Sequence, residues 1–171
     1  STTSTGWAKV KHNNTYGYVS TTYLSQNQTG LDAEKDSNYD SSTSKSEKIS
    51  KIVSVAKSKL GCKYVRGSEG PTTFDCTGLT YYLYKQIGIT LPRGTAEQKS
   101  VGTYVAKSDL QPGDLVYLDT KGDDGIIDHA AIYIGNDTII HANSVAGKVG
   151  TSNLNTAYYK KAYVSARRVL N

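Results

Sequence analysis

The sequence predicts an α+β fold, with helices in its first part and an antiparallel sheet in its second. Two segments before residue 90 carry apolar residues at three- and four-residue spacing, which predicts helices. After residue 110, short apolar runs alternate with turn residues, a pattern typical of strands. Because the strands follow the helices and do not alternate with them, the pattern indicates an α+β domain. We expect this domain to cover residues 46–171.

The first predicted helix begins at Ser46 and ends at Gly61. Serine is a good N-cap residue, and glycine commonly follows a helix end. One face of the segment is apolar and should pack against the core. Its members are Ile49, Ile52, Val53, Ala56 and Leu60.

The second predicted helix begins at Cys76. Asp75 is a suitable N-cap, and an apolar residue recurs every four positions until Gly88. The free N–H groups at a helix start favour an anion, so a thiol there should have a lowered pKa and act as a nucleophile. The alternative is a small, buried apolar cysteine, which is the commoner fate of a single Cys.

Two of the three histidines, His129 and His141, lie on a predicted β-hairpin that turns at residues 135–137. Side chains alternate along strands, so the two share a face only if the loop is odd in length or carries a bulge. We predict such a loop, with a ring nitrogen of each histidine within about 3.2 Å of the other. Other predicted strands are residues 115–118 and 162–170, the latter with Val164 and Ala166 facing the core.

The first 45 residues differ from the rest. Residues 1–25 read as two short strands around a turn at His12, and residues 26–45 are polar, as expected of a linker. The chain begins with Ser1 and contains no Met, so we expect a mature or cut fragment.

Composition and charge exclude several classes of protein. The net charge of +5 falls entirely on residues 47–171, but no basic run exceeds two residues, so we expect no nucleic-acid partner. No segment approaches the ~20 apolar residues that cross a bilayer, so we expect no membrane insertion. Fourteen tyrosines with many Ser, Thr and Asn suit an extracellular surface.

The two cysteines, Cys62 and Cys76, could form a disulfide in an oxidising compartment, but the bond would consume the nucleophile, so we expect free thiols. A zinc site that combines them with the histidine pair lacks the usual closely spaced ligand pair. The spacing of the acidic residues in the loop 119–128 does not fit a calcium loop. We therefore expect no metal and no cofactor.

An ordered set of motifs resembles the NlpC/P60 cysteine peptidases over roughly residues 47–171. The set is Phe74-Asp75-Cys76-Thr77-Gly78-Leu79, Leu91-Pro92-Arg93-Gly94-Thr95, Gly113-Asp114-Leu115-Val116, His129, Ile140-His141-Ala142 and Ala166-Arg167-Arg168. The resemblance implies a papain-like fold, with N-terminal helices packed on an antiparallel sheet. Residues 1–25 are similar to the last part of a bacterial SH3 (SH3b) domain. The motifs that carry this resemblance are Gly6-Trp7, Gly17-Tyr18-Val19 and Tyr23-Leu24.

The resemblance also implies roles for individual residues. Cys76 would be the nucleophile, His129 its base, and His141 the group that orients His129. The Cys76 N–H and the Tyr64 hydroxyl would stabilise the oxyanion. The residues implied to contact substrate are Tyr64, Asp75, Thr77 and Thr95, with Asp75 recognising an amine. The chain departs from the family at Arg66-Gly67-Ser68, where an aromatic and two glycines are common, and at Thr77, where serine is usual.

By resemblance, we expect a secreted, cell-wall-associated, monomeric endopeptidase that acts on peptidoglycan stem peptides. The expected bond joins γ-D-glutamate to the diamino acid. Alternatives are an amidase that releases L-alanine from muramic acid, and a wall-binding module without activity. An acyl transferase would need a lipid pocket, which the polar loops do not suggest.

Overall fold

The computed structural model describes residues 7–12, 15–20, 44–122 and 124–170. The chain divides into two compact units, residues 1–43 and 44–171. In the first unit, β1 (Trp7–His12) pairs with β2 (Thr15–Ser20) as an antiparallel ribbon, which confirms the two predicted strands. Most of the predicted linker lies outside the described residues, but Lys45 already belongs to the first helix of the second unit.

Helix α1 spans Lys45–Ser58, and its N-cap is Ser44, so the prediction of Ser46 as the cap was wrong. Ser44 Oγ accepts a hydrogen bond from the Glu47 N–H, while the Glu47 carboxylate accepts one from the Ser44 N–H. This capping box needs an acid three residues after the cap, and that spacing selects Ser44. Ile52 and Ala56 are buried on the inner face of the helix.

Helix α2 spans Cys76–Lys85 and has Asp75 as its N-cap, as predicted. Asp75 Oδ1 accepts a 2.6 Å hydrogen bond from the Gly78 N–H. The helix ends two residues before the predicted position, at Gln86 as C-cap, and Gly88 follows in the left-handed region with φ of +78°. Because glycine has no Cβ, it adopts this conformation without strain.

The main sheet has eight strands in the order β4-β3-β9-β8-β7-β6-β10-β5. The strands are β3 (Lys63–Tyr64), β4 (Thr73–Phe74), β5 (Thr103–Val105), β6 (Leu115–Leu118), β7 (His129–Gly135), β8 (Thr138–Asn143), β9 (Lys148–Asn153) and β10 (Tyr163–Arg168). All neighbours are antiparallel except β3 and β4, which run parallel at one edge. The sheet is therefore mixed, where the sequence predicted only antiparallel pairs.

Both faces of the sheet are covered. On one face, the helices α1 and α2 pack on residues such as Leu115, Ile132 and Ile140. On the other, Val116 and Ile139 join a second cluster that includes Ala162 of α4 (Ala157–Ala162). The described connections also contain α3 (Thr95–Gln98) and a 3₁₀ turn at Lys107–Asp109. Double coverage explains why β6 is apolar at every position and does not alternate.

The β7–β8 hairpin has a two-residue turn and a bulge. Tyr133 pairs with Ile139 and Gly135 with Thr138, so one extra residue lies in β7 just before the turn. The turn residues Asn136 and Asp137 have φ of 50° and 54°. The extra residue has the same effect on side-chain alternation as a loop of odd length. It therefore places His129 and His141 on one face of the hairpin, as predicted.

A second bulge changes the last strand. The register between β10 and β6 shifts between Tyr163 and Ser165, and Val164 is 38% exposed. The prediction that Val164 faces the core was therefore wrong, whereas Ala166 is fully buried as predicted.

Candidate functional site

The Cys76 thiol is half-buried at the first position of α2. Burial raises the pKa of the thiol, and backbone N–H groups, that of Ala130 foremost, lower it by less. The sequence predicted a lowered pKa from the helix start and from His129, and this prediction was wrong. Loss of water around the sulfur disfavours the thiolate, and no positive charge from the described residues offsets that loss. Both cysteines are free.

His129 and His141 form a buried pair, 9% and 2% exposed. His129 Nε2 lies 2.8 Å from His141 Nδ1, with the two rings nearly perpendicular, which confirms the predicted separation. Burial lowers the pKa of His129 to about 3, helped by the neighbouring His141. Burial likewise lowers the pKa of His141 to about 4. Both imidazoles are therefore neutral at pH 7.

Two hydroxyls extend the pair on its far side. Ser152 Oγ in β9 lies 3.0 Å from His141 Nε2, and it donates to the Tyr159 hydroxyl of α4 at 3.0 Å. The sequence analysis predicted neither residue, because it predicted neither β9 nor α4. Ser152 occupies a short polar strand without an apolar alternation that could have revealed it.

The carboxylate of Asp75 is fully occupied. Oδ2 accepts from the Gly67 N–H and from Arg93, and Oδ1 accepts from the Gly78 N–H and the same guanidinium. A carboxylate has about four acceptor positions. An incoming amine would therefore have to displace Arg93 or share an oxygen with it. The Thr77 hydroxyl is also engaged, as it accepts from Arg93 Nη1 at 3.1 Å.

Arg93 also forms an ion pair with a second carboxylate, next to Asp75. Its Nε pairs with Glu69 at 3.1 Å, and the Glu69 side chain is 50% exposed. Arg93 thus bridges a buried acid and a solvent-facing one beside the Cys76 helix. Sequence analysis named neither residue as part of the site, although Arg93 lies in one of the quoted motifs.

Tyr64 lies in β3, and Thr95 is the first residue of α3. The phenol of Tyr64 has a raised pKa, first from burial and then from the negative charges that Cys76 and Asp75 carry when ionised. Gln98 joins α3 to the site, because its side chain donates to the Thr77 carbonyl and accepts from Thr80.

Within the described part of the chain, no three His, Cys, Asp or Glu side chains converge as metal ligands would. The helices of this same part are all too short or too polar to cross a bilayer. The site is thus made of a thiol, two neutral imidazoles, hydroxyls and the Asp75–Arg93–Glu69 cluster.

The architecture is an α+β fold of the papain-like type. The NlpC/P60 family model matches residues 61–168, and the chain belongs to the NlpC/P60 family. The chain is 36% identical over 120 residues to a "Gamma-DL-glutamyl hydrolase" of Bacillus subtilis, which covers 69% of this chain and 29% of that protein. It is also 36% identical over 119 residues to a "Gamma-D-glutamyl-L-lysine dipeptidyl-peptidase" of Bacillus cereus, covering 70% and 36%.

The fold also matches solved structures of NlpC/P60 proteins. An NlpC/P60 family protein from Bacillus cereus superposes with a TM-score of 0.70 and 27% identity, over 99% of this chain and 53% of that chain. The NlpC/P60 domain of the peptidoglycan hydrolase SagA matches with a TM-score of 0.61 and 31% identity, over 70% and 97%. The chain spans well under half the length of the curated relatives named above.

Proposed function

We propose that this chain is a cysteine endopeptidase that cleaves peptidoglycan stem peptides between γ-D-glutamate and the diamino acid. The observation that carries the proposal is the buried His129–His141 pair, 2.8 Å apart, together with the contact between helix α2, which begins at Cys76, and strand β7, which begins at His129. Support for the substrate comes from relatives whose names describe glutamyl-bond hydrolysis and from the likeness to a peptidoglycan hydrolase domain.

The proposed reaction starts from a neutral thiol and a neutral imidazole. His129 Nε2 is committed to His141, so Nδ1 accepts the thiol proton as the Cys76 sulfur attacks the carbonyl carbon. The Cys76 N–H and the Tyr64 hydroxyl donate to the oxyanion. The His129 imidazolium then protonates the leaving amine, and a thioester remains. Water, deprotonated by His129, hydrolyses this thioester and restores the enzyme.

For the substrate, we propose that Tyr64, Asp75, Thr77 and Thr95 line the side of the site that binds the peptide before the cleaved bond. The N-terminal amine would be read by the Asp75–Arg93–Glu69 cluster, where Asp75 provides buried negative charge and Glu69 an accessible carboxylate. Compared with a free peptide, an N-acetylated peptide should have a higher KM. Equal values for both peptides would remove the amine from the proposal.

The decisive experiment is a mass-spectrometric digest of L-Ala-γ-D-Glu-diamino-acid peptides with wild type and Cys76→Ala. We expect a new N-terminus on the diamino acid and no products with the variant. Release of L-alanine from muramic acid in digested cell wall would instead support an amidase. No product in either assay, together with retained wall binding, would support an inactive module.

The proposal extends to the surroundings of the domain. We propose that residues 1–25 are the C-terminal part of an SH3b domain and residues 26–43 a linker, with residues 44–171 as the catalytic domain, because helix α1 and its cap begin at Ser44 and not at the predicted residue 46. We also propose a secreted, wall-associated location and a monomeric state. Fractionation of cells that express the protein would test the location, and its mass measured by light scattering would test the monomeric state.

A further inference from the structure

Two hydroxyl groups continue the histidine pair away from Cys76. His141 Nε2 lies 3.0 Å from Ser152 Oγ, which donates to the Tyr159 hydroxyl at 3.0 Å. The Tyr159 oxygen is itself 3.4 Å from His141 Nε2, and the two rings are perpendicular at a centroid distance of 5.8 Å. Ser152 and Tyr159 therefore contact the imidazole nitrogen that the pair leaves unused.

The positions of the hydrogens follow from the proposed function, on which this inference rests. If His129 Nδ1 accepts the thiol proton, its hydrogen must lie on Nε2, because a neutral imidazole carries only one N–H. That N–H donates to His141 Nδ1. The hydrogen of His141 then lies on its own Nε2, which needs an acceptor, and Ser152 Oγ is within reach.

The opposite arrangement would disable the site. If His141 carried its hydrogen on Nδ1, it would donate to His129 Nε2, and the His129 hydrogen would occupy Nδ1. No base would then face the thiol. The histidine pair has the same number of hydrogen bonds in both arrangements, so the choice is made by the groups at its two outer nitrogens, and the hydroxyls beyond His141 are the partners at one of them.

Ser152 and Tyr159 make that choice by the direction of their own hydrogen bond. The geometry has the Ser152 hydroxyl as donor and the Tyr159 oxygen as acceptor. A serine hydroxyl has only one hydrogen, so once it is given to Tyr159 the Ser152 oxygen can only accept from His141. In this direction, with the Tyr159 hydrogen turned away from His141 Nε2, which is 3.4 Å from the Tyr159 oxygen, the chain of hydrogen bonds ends with a base at His129 Nδ1.

We propose that Ser152 and Tyr159 are positioning residues that hold His141 in its Nε2–H form and thereby keep His129 Nδ1 free. They also give the His129 imidazolium, once formed, a chain of polarisable hydrogen bonds that spreads its charge. Ser152 lines an open groove of about 410 Å³. Removal of its hydroxyl therefore leaves no sealed cavity, and the Ser152→Ala variant should fold.

The test reads the tautomers directly. Protein with ¹⁵N-labelled histidine is examined by NMR at neutral pH, without substrate. We expect Nε2–H for both His129 and His141 in the wild type, a shift toward Nδ1–H in Ser152→Ala and in Tyr159→Phe, and the wild-type form in Ser152→Thr. Tyr158→Phe is the matched control, because its hydroxyl donates to the Thr120 carbonyl instead. An Nδ1–H form of His141 in the wild type, or unchanged tautomers in Ser152→Ala, would overturn the proposal.

A kinetic comparison separates positioning from a purely structural role. Loss of one hydrogen bond should lower kcat about 3- to 10-fold in Ser152→Ala, with KM changed less than about twofold. In a His141→Ala background the same substitution should have no further effect on kcat, because Ser152 acts through His141. Equal losses in both backgrounds would contradict the proposal. If no peptide is cleaved at all, the proposed function fails, while the NMR result still decides the tautomers.

Discussion

At the scale of the residue, burial decides whether the Cys76 thiol is protonated in the free protein. A helix start and the Ala130 N–H both favour the thiolate, yet the loss of water around the sulfur outweighs them. His129, which we propose as the base, is neutral and supplies no positive charge. We therefore expect a thiol–imidazole pair in the free protein, which becomes a thiolate–imidazolium pair only during attack on the substrate.

Alkylation measures this state. In a Cys62→Ser variant, where Cys76 is the only thiol, the rate of reaction with iodoacetamide should still rise above pH about 8.5, the pKa of an ordinary cysteine. The reason is the raised pKa of the buried sulfur. The rate is followed by intact-mass spectrometry across pH 6 to 10, and a Cys76→Ala variant reports Cys62 by itself. A plateau below pH 7 would show that the free protein holds a thiolate.

At the scale of the element, the caps of the two long helices differ. The start of α2 depends strongly on a single carboxylate, whereas α1 depends less on its cap. Asp75, which is itself buried, caps α2 and also holds Arg93 and the Gly67 N–H. Ser44 caps α1 at an exposed position by the same kind of bond. The two caps therefore form a natural comparison between a buried and an exposed helix start.

Replacement of each cap should show this difference. Asp75→Ala should lower the free energy of unfolding by about 3 kcal/mol, because the cap is lost and charged hydrogen bonds to Arg93 are lost with it. Ser44→Ala should cost at most about 1 kcal/mol. Urea denaturation followed by circular dichroism gives both values. Equal costs would mean that the Asp75–Arg93 pair adds nothing to the cap.

At the scale of the whole molecule, a buried ion pair ties the last strand to the turn before β6. Arg168 Nε and Nη2 donate to the two oxygens of Asp114 at 2.8 and 2.7 Å, and Nη2 also donates to the Asp109 carbonyl. Asp114 is 2% exposed. The pair therefore joins segments that are more than 50 residues apart in sequence.

Removal of the arginine alone should be costly. Arg168→Ala should lower the free energy of unfolding by about 3–5 kcal/mol, because it leaves the Asp114 charge buried without a cationic partner, with only the Gln111 N–H still donating to it. The double variant Arg168→Ala/Asp114→Ala is the control, since it removes both charges. It should be less destabilised than the sum of the single variants. Simple additivity in urea denaturation would refute the coupling.

The histidine pair makes stability depend on pH. In the unfolded chain both histidines take up protons below pH about 6.5, whereas in the folded chain their pKa values are about 3 and about 4. The unfolded state therefore binds more protons between these limits, and stability falls as the pH drops. Above pH 6.5 the histidine pair makes no contribution to the pH dependence of stability.

We expect a slope of up to about 2.7 kcal/mol per pH unit from the two histidines between pH 4 and 6. The slope is obtained from urea denaturation at a series of pH values. Carboxylates titrate in the lower part of this range, so the contribution of the pair is the difference from a His129→Asn/His141→Asn variant. A double variant with the same slope as the wild type would show that the histidines are not buried in neutral form.

Local patterns were sufficient for several parts of the structure. The start of α2 at Asp75 and Cys76 was predicted because a cap and an apolar repeat are both properties of neighbouring residues. The hairpin parity was predicted because strand alternation allows only certain loops if His129 and His141 are to meet. Strands β9 and β3 were missed, since short polar segments form strands only when an existing edge offers hydrogen bonds.

The sequence by itself determined the α+β class, the cap and position of Cys76, and the shared face of the two histidines, because these depend on spacing along the chain. Only the tertiary structure decided the ionisation of those groups and their partners. The pKa of Cys76 is raised, and those of the histidines lowered, by surrounding residues that come from distant segments. Asp75 meets Arg93, and His141 meets Ser152, through folding of the whole domain. Desolvation and partner choice are three-dimensional properties, and no local pattern in the chain encodes them.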